Sequence, residues 1–148
     1  MKTLGINALE AKDFLSTVTT AQKNEALQAI ANALRNNIDY IIEENKKDLE
    51  NGKNSGLSDA LLDRLMLNAD RIEGIAKSVE EVIALDDPCG KVLETVERPN
   101  GLVIKKVSVP IGVIGIIYEA RPNVTADAAV LCLKSSNAVI LRGGKEAI

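Results

Sequence analysis

The sequence predicts an α/β protein built in three successive parts: a helical first half, an antiparallel β-ribbon and the start of a doubly wound parallel sheet. Apolar residues recur at helical spacing up to about residue 85, and two aliphatic runs then flank an Asn-Gly pair. Beyond them, an almost continuous apolar run precedes a helical segment and a second apolar run. We place the boundaries at 1–90, 91–109 and 110–148.

The composition is that of a globular protein and excludes several functional classes. The chain has 148 residues, of which 46% are hydrophobic and 26% charged, which suffices for one domain with a core. It contains no histidine, so His-dependent hydrolases and His-based metal motifs are excluded within this segment, and we expect no metal. A net charge of -3 and only three aromatic side chains argue against nucleic-acid binding.

The N-terminus and the cysteines favour a cytoplasmic protein with no membrane partner. No apolar run of signal-peptide type follows Met1, and the longest apolar stretch, Ile111 to Tyr118, is too short to cross a bilayer. Cys89 and Cys132 form neither a disulfide framework nor a zinc pattern, which suits a reducing compartment. We expect Cys132 in the core and Cys89 in a turn without an activating base.

Three helices are predicted in the part before residue 90. A long helix should run from Ala21 to Leu49 and stop at Asn51-Gly52, because glycine tolerates the left-handed conformation after a helix end. Ser58 or Asp59 could cap a short helix. A third helix is expected from about Asn68 to Leu85.

The ribbon and the parallel strands follow from a change of period at Lys91. Asn100-Gly101 between aliphatic runs predicts a hairpin with a type I′ turn, since both residues accept a positive φ. Ile111 to Tyr118 should be a strand buried on both faces. A helix from about Thr125 to Lys134 and a strand from Ala138 to Leu141 would complete a right-handed βαβ unit. Because that helix has almost no polar face, we expect the chain to be a fragment of a larger protein.

Two loops at the carboxyl ends of the predicted strands are candidates for ligand binding, since ligands of open parallel sheets bind there. The first holds Arg121 and Asn123, which are either a turn with a helix cap or donors to a substrate carboxylate, phosphate or developing oxyanion. The second holds Arg142 and Lys145, which are either a solvated loop or a site for the 2′-phosphate and ribose of NADP. The dinucleotide fingerprint GxGxxG is absent, and Gly143-Gly144 does not complete a P-loop.

One stretch carries a specific resemblance. The run from Val109 to Thr125, V-P-I-G-V-I-G-I-I-Y-E-A-R-P-N-V-T, resembles the gamma-glutamyl phosphate reductase family of the aldehyde dehydrogenase superfamily. Ordinary aldehyde dehydrogenases share the leading P-x-G-V-x-G but continue with P-W-N. The run from Lys134 to Ala147 is equally typical of the reductases, and Glu44–Asp48 and Leu61–Leu65 are similar to the family as well.

The resemblance implies NADPH-dependent reduction of L-glutamyl 5-phosphate to L-glutamate 5-semialdehyde with release of phosphate, the second step of proline biosynthesis. In such enzymes a cysteine thiolate displaces phosphate, and hydride from NADPH reduces the thioacyl group. That cysteine belongs to a later catalytic domain, and nothing in this chain matches it. Residues 1–90 and 110–148 would then belong to an incomplete Rossmann-like NADP-binding domain, and the chain alone should be inert.

Position by position, the resemblance carries the cofactor loop over to Arg142, Gly143, Gly144 and Lys145. Arg142 stands where the superfamily has its cofactor-binding lysine, while Arg121 and Asn123 fall near its oxyanion-stabilising asparagine. The ribbon from 91 to 109 is similar to the superfamily's oligomerisation element, which implies a homo-oligomer.

Three other interpretations stay open at this point. The first is an ordinary NAD(P)-dependent aldehyde dehydrogenase, against which the R-P-N-V-T sequence counts. The second is a non-catalytic oligomerisation or binding fragment. The third is the reductase half of a bifunctional kinase-reductase, which a start at Met1 makes less fitting than a stand-alone enzyme.

Overall fold

A computed structural model describes residues 2–119 and 121–144 as six helices and four strands. In chain order these are α1 (Lys2–Leu15), α2 (Thr20–Asn36), α3 (Ile38–Asn54), α4 (Asp59–Leu65), α5 (Ala69–Ala84), β1 (Val92–Glu97), β2 (Val103–Val107), β3 (Val113–Ile117), α6 (Pro122–Lys134) and β4 (Ala138–Arg142). The predicted α/β class with a helical first half is confirmed. The division into domains stays a prediction.

The single helix predicted from Ala21 to Leu49 is wrong, because the helix is interrupted at Asn37. The backbone N–H of Asn37 donates to Ala33 O (3.1 Å) and its side-chain amide donates to the same oxygen (2.7 Å), which closes α2. Its carbonyl accepts from Ile41 N at 2.9 Å and so opens α3. A junction of one residue leaves the apolar spacing nearly continuous, so the periodicity does not reveal the break.

The predicted helix stop at Asn51-Gly52 is also wrong, since α3 continues to Asn54. The left-handed residue is Gly56, with φ +78°, and Leu57 N donates back to Gly52 O at 3.0 Å, as in a Schellman ending. Gly52 is buried, and a Cβ there would lie 2.9 Å from Leu57 Cδ1. The glycine therefore permits the close approach of the following loop and α4, not the end of the helix.

The core lies where α2, α5 and α6 pack together. Six buried apolar side chains form it: Leu27, Ala31, Ala76, Val79, Val82 and Val130. Helices α2 and α5 each begin with a side-chain cap. Thr19 and Gln22 form a reciprocal capping box at α2, and Asn68 Oδ1 accepts from Arg71 N (2.8 Å) at α5. The Asn68 cap therefore lies at the predicted start of α5.

Helix α1, which the sequence analysis did not predict, packs against β3 and β4. Only Ala8 is buried among its residues, and Leu4, Leu9 and Phe14 are 54%, 55% and 69% exposed. Its apolar residues therefore do not form one clean stripe, which explains why no helix was predicted there.

The ribbon is an antiparallel pair of β1 and β2, but its turn is not type I′. Gly101 has φ +82°, whereas Asn100 does not have a positive φ. Gly101 N donates to Arg98 O and Arg98 N to Leu102 O, both at 2.9 Å, which is the pattern of a type I turn followed by a left-handed residue. Proline explains the difference: Pro99 fixes φ near −65° at the first turn position, so the loop takes three residues instead of two.

The base of the ribbon is held by backbone hydrogen bonds. Gly90 N donates to Ser108 O at 2.9 Å, and Ser108 N donates to Lys91 O at 3.0 Å. The hydroxyl of Ser108 donates to Pro88 O at 2.6 Å. The two ends of the ribbon, one after α5 and one before β3, therefore lie next to each other.

The βαβ unit is confirmed, with β3 and β4 paired in parallel from Val113↔Ala138 to Ile117↔Arg142. Full burial of β3 on both faces is wrong, because Ile117 is 82% exposed. Within the described residues the two strands pair only with each other, so part of β3 lacks cover. On α6, Leu131 is likewise 52% exposed.

Two buried lysines tie the start of β4 to the helices. Lys23 Nζ contacts the Asp87 carboxylate and donates to Ser136 Oγ (3.0 Å) and Lys134 O (3.2 Å). Lys134 Nζ in turn donates to Asn24 Oδ1 at 2.7 Å. Burial opposes the charge of Asp87, but hydrogen bonds from Lys23, Thr20 and the Cys89 N–H lower its pKa to about 2. The ammonium groups thus fix the turn between α6 and β4.

Candidate functional site

Tyr118 joins the two loops at the carboxyl ends of β3 and β4. Its backbone N–H donates to Arg142 O at 3.1 Å, which extends the strand pairing by one step. Its ring lies over Gly143, since a Cβ on that glycine would be 3.5 Å from the ring. Its hydroxyl lies 2.7 Å from Thr125 Oγ1 on α6. The structure therefore brings the two predicted loops side by side.

The predicted cofactor loop begins at the last residue of β4. Arg142 is exposed, and its guanidinium has no hydrogen-bond or ion-pair partner in the described part of the chain. Gly143 is exposed and Gly144 half-buried. Lys145, the fourth residue predicted for this loop, lies outside the described residues, as does the helix expected after it.

The predicted substrate loop passes directly into α6, which begins at Pro122, three residues earlier than predicted. Arg121 is the N-cap residue, but its side chain makes no capping hydrogen bond. Asn123 lies in the first turn and donates to Asp127 Oδ2 at 3.1 Å. The Arg121 guanidinium is therefore not used as a helix cap.

Both substrate-loop residues line a cavity of about 310 Å³ that the sequence analysis did not foresee. Helices α4 and α5 form its other wall, and Arg64 and Arg71 line it together with Arg121. Arg64 lies within the run Leu61–Leu65, whose similarity to the family is the one sequence signal for this wall. Nothing in local spacing relates Arg64 to Arg121, because their approach arises from the packing of distant segments.

Neither cysteine lies at this site. Cys132 is 5% exposed, and burial raises the pKa of its thiol. Cys89 is half-buried, and its thiol donates to Ser135 O at 3.2 Å. The core position predicted for Cys132 is confirmed. Within residues 2–119 and 121–144, no three His, Cys, Asp or Glu side chains gather as a metal site would require.

Comparison with known proteins gives the same family from sequence and from structure. Gamma-glutamyl phosphate reductase of Caldicellulosiruptor saccharolyticus is 58% identical over 94% of the chain and 33% of the relative, and that of Dictyoglomus thermophilum 54% over 95% and 34%. The crystal structure of gamma-glutamyl phosphate reductase from Thermotoga maritima superposes with a TM-score of 0.92 at 46% identity, covering 95% of this chain and 34% of that one. The chain is homologous to the gamma-glutamyl phosphate reductases.

Further comparisons define the extent of this match. The gamma-glutamyl phosphate reductase from Saccharomyces cerevisiae also has a TM-score of 0.92, with 39% identity, over 98% of this chain and 37% of its own. A probable aldehyde dehydrogenase from Listeria monocytogenes, 14% identical, has a TM-score of 0.64 over 99% of the chain and 29% of its own, which shows a shared fold. The chain spans about a third of the length of the curated reductases it matches. No family model matches it.

None of the described helices is long and apolar enough to cross a membrane.

Proposed function

We propose that the protein containing this chain is an NADPH-dependent gamma-glutamyl phosphate reductase. It would reduce L-glutamyl 5-phosphate to L-glutamate 5-semialdehyde and phosphate, the second step of proline biosynthesis. The observation that carries the proposal is the 53–58% identity to reductases of that name over 90–100% of the chain. The reaction would take place in the cytoplasm, as the cysteine usage favours.

The residues at the end of β4 are suited to hold the cofactor. Arg142 offers a cation with no ion pair among the described residues, and two glycines follow it, with the Tyr118 ring packed over Gly143. A guanidinium suits the 2′-phosphate that distinguishes NADPH from NADH. When bound, NADPH supplies the hydride. Tyr118 would hold this loop against β3 through its backbone hydrogen bond to Arg142.

The nucleophile has no candidate among the described residues. Cys132 is packed in the core, where burial raises the pKa of its thiol, and the Cys89 thiol donates a hydrogen bond to a backbone carbonyl. We therefore assign the thiolate chemistry to the part of the reductase that this chain does not match. Arg121 and Asn123 would serve at the substrate side of the site.

The ribbon would join copies of the protein. All of β2 and most of β1 are exposed, including Leu93 at 61% and Val103 at 51%. A two-stranded ribbon with aliphatic side chains in water is stabilised by packing on a partner. A Leu93→Asp change should reduce the molar mass of the complete gene product measured by light scattering.

The test of the function is NADP reduction by the complete gene product with L-glutamate 5-semialdehyde, with and without phosphate. A phosphorylating reductase run in reverse needs phosphate to release the acyl group from its cysteine, so activity should depend on phosphate. Equal rates without phosphate would mean that water releases the acyl group. That outcome would refute the proposal in favour of an ordinary aldehyde dehydrogenase.

A further inference from the structure

We propose that the cavity between α4, α5 and the start of α6 binds an anionic oxygen group of the substrate, and that Arg64 and Arg71 belong to the substrate site along with Arg121. This inference rests on the proposed function and deepens it. It adds two residues from α4 and α5, which lie outside the two predicted loops. It also assigns a role to the helical part of the chain.

The charge of the cavity points to an anion. Three arginines line it, Arg64, Arg71 and Arg121, together with one acidic residue, Asp63, which pairs with Arg71 at 2.9 Å. The segments that bring them together are far apart in the chain, since α4 and α5 precede α6 by about fifty residues. Because Arg71 is paired with Asp63, the lining keeps the uncompensated positive charges of Arg64 and Arg121, which favour a bound oxyanion.

Arg71 is fixed in position by its own hydrogen bonds. Its guanidinium donates to Met66 O at 2.8 Å, to the Asp63 carboxylate at 2.9 Å and to the Asp63 carbonyl. Because a guanidinium held in this way does not lose freedom on binding, it contributes more per contact than a mobile one. Arg71 therefore sets the geometry of the cavity wall.

Arg64 and Arg121 provide the free donors. Neither guanidinium has a hydrogen-bond or ion-pair partner in the parts of the chain that the structure describes. Each can offer two parallel N–H donors to the oxygens of a carboxylate or a phosphate. Asn123 lies in the same wall and adds an amide.

The size and the remaining walls suit a small amino-acid derivative. A volume of about 310 Å³ is at the low end for small-molecule sites and too small for a dinucleotide. Met66, Leu67 and Ile75 supply apolar surface for a short methylene chain. L-Glutamyl 5-phosphate presents a carboxylate at one end of such a chain and a phosphate at the other, and both ends share the chemistry that the arginines recognise.

The experiment is steady-state kinetics of the complete gene product in the phosphate-dependent reverse direction, with KM measured separately for L-glutamate 5-semialdehyde and for phosphate. The test variants are Arg64→Ala and Arg64→Lys. Arg64 is exposed and has no hydrogen-bond or ion-pair partner among residues 2–119 and 121–144, so its removal should not affect folding, which circular dichroism checks. Lys77→Ala removes one positive charge at an exposed position of α5 outside the cavity and serves as the matched control.

We expect Arg64→Ala to raise one of the two KM values by about tenfold to a hundredfold, the range for losing a charge-assisted hydrogen bond. Arg64→Lys should recover part of the loss because it keeps the charge but not the paired donors. A raised KM for semialdehyde assigns the cavity to the carboxylate end, and a raised KM for phosphate assigns it to the phosphate end.

Unchanged KM values for both substrates in Arg64→Ala, or changes matched by Lys77→Ala, would overturn the inference. This failure differs from failure of the proposed function. In the latter case the unaltered protein would itself show no dependence on phosphate.

Discussion

Removal of the Asp87 carboxylate should destabilise the fold far more than removal of its neighbour Asp86. Asp87 contacts the Nζ of Lys23, a side chain only 2% exposed, so the Asp87→Ala change leaves a buried ammonium without its counter-charge. Breaking a buried pair in this way costs about 3–5 kcal/mol. Lys23 keeps its hydrogen bonds to Ser136 Oγ and Lys134 O, so we expect the low end, about 3 kcal/mol.

The assay is urea denaturation followed by circular dichroism, with Asp86→Ala as the matched control. Asp86 is 89% exposed and pairs with Lys91 at 3.1 Å, so its loss should cost less than about 1 kcal/mol. Lys23→Met/Asp87→Ala, which removes both charges, should recover part of the loss. If Asp87→Ala costs no more than Asp86→Ala, the buried ammonium is compensated elsewhere and the reasoning fails.

Three further predictions concern pH, glycine and thiol reactivity. The folded pKa of Asp87, about 2, lies below its unfolded value of about 4, so its stabilisation is complete above pH 4 and lost as the pH falls through 2. Urea denaturation should therefore show the free energies of unfolding of wild type and Asp87→Asn converging over that range. Thermal unfolding should show Gly74→Ala stabilising α5 by about 0.5–1 kcal/mol, because position 74 is exposed and a Cβ there meets nothing within 4 Å. Gly52→Leu should instead destabilise by about 1–3 kcal/mol, and equal effects at the two glycines would contradict the packing. Iodoacetamide followed by mass spectrometry should label half-buried Cys89 before buried Cys132; the reverse order would contradict the core position.

The order of helices and strands was largely predictable, whereas the exact turns were not. Apolar periodicity located α5 to within a residue, because that signal is local. The break at Asn37 and the three-residue hairpin loop escaped, since each depends on one backbone position. Pro99 was the available signal for the hairpin, because it restricts the turn that Asn-Gly would otherwise adopt.

The candidate site was half predictable. Strand ends in a parallel sheet directed attention to Arg121 and Arg142, and Tyr118 does hold the two loops together. Arg64 and Arg71 were not predicted, because helical spacing does not indicate which distant segment will face a given helix. Lys23 escaped for a related reason: lysine is rarely buried, and its partner Asp87 is sixty-four residues away.

The pinched base of the ribbon has a consequence for how this protein can change. Gly90 and Lys91 are hydrogen-bonded directly to Ser108, so the segment 92–107 begins and ends at the same place in the fold. Lengthening, shortening or replacing this segment therefore alters no distance between α5 and β3. The subunit contacts proposed for the ribbon could therefore diverge between relatives at little cost to the sheet that bears Arg142, and an engineer could graft a different ribbon at the same base.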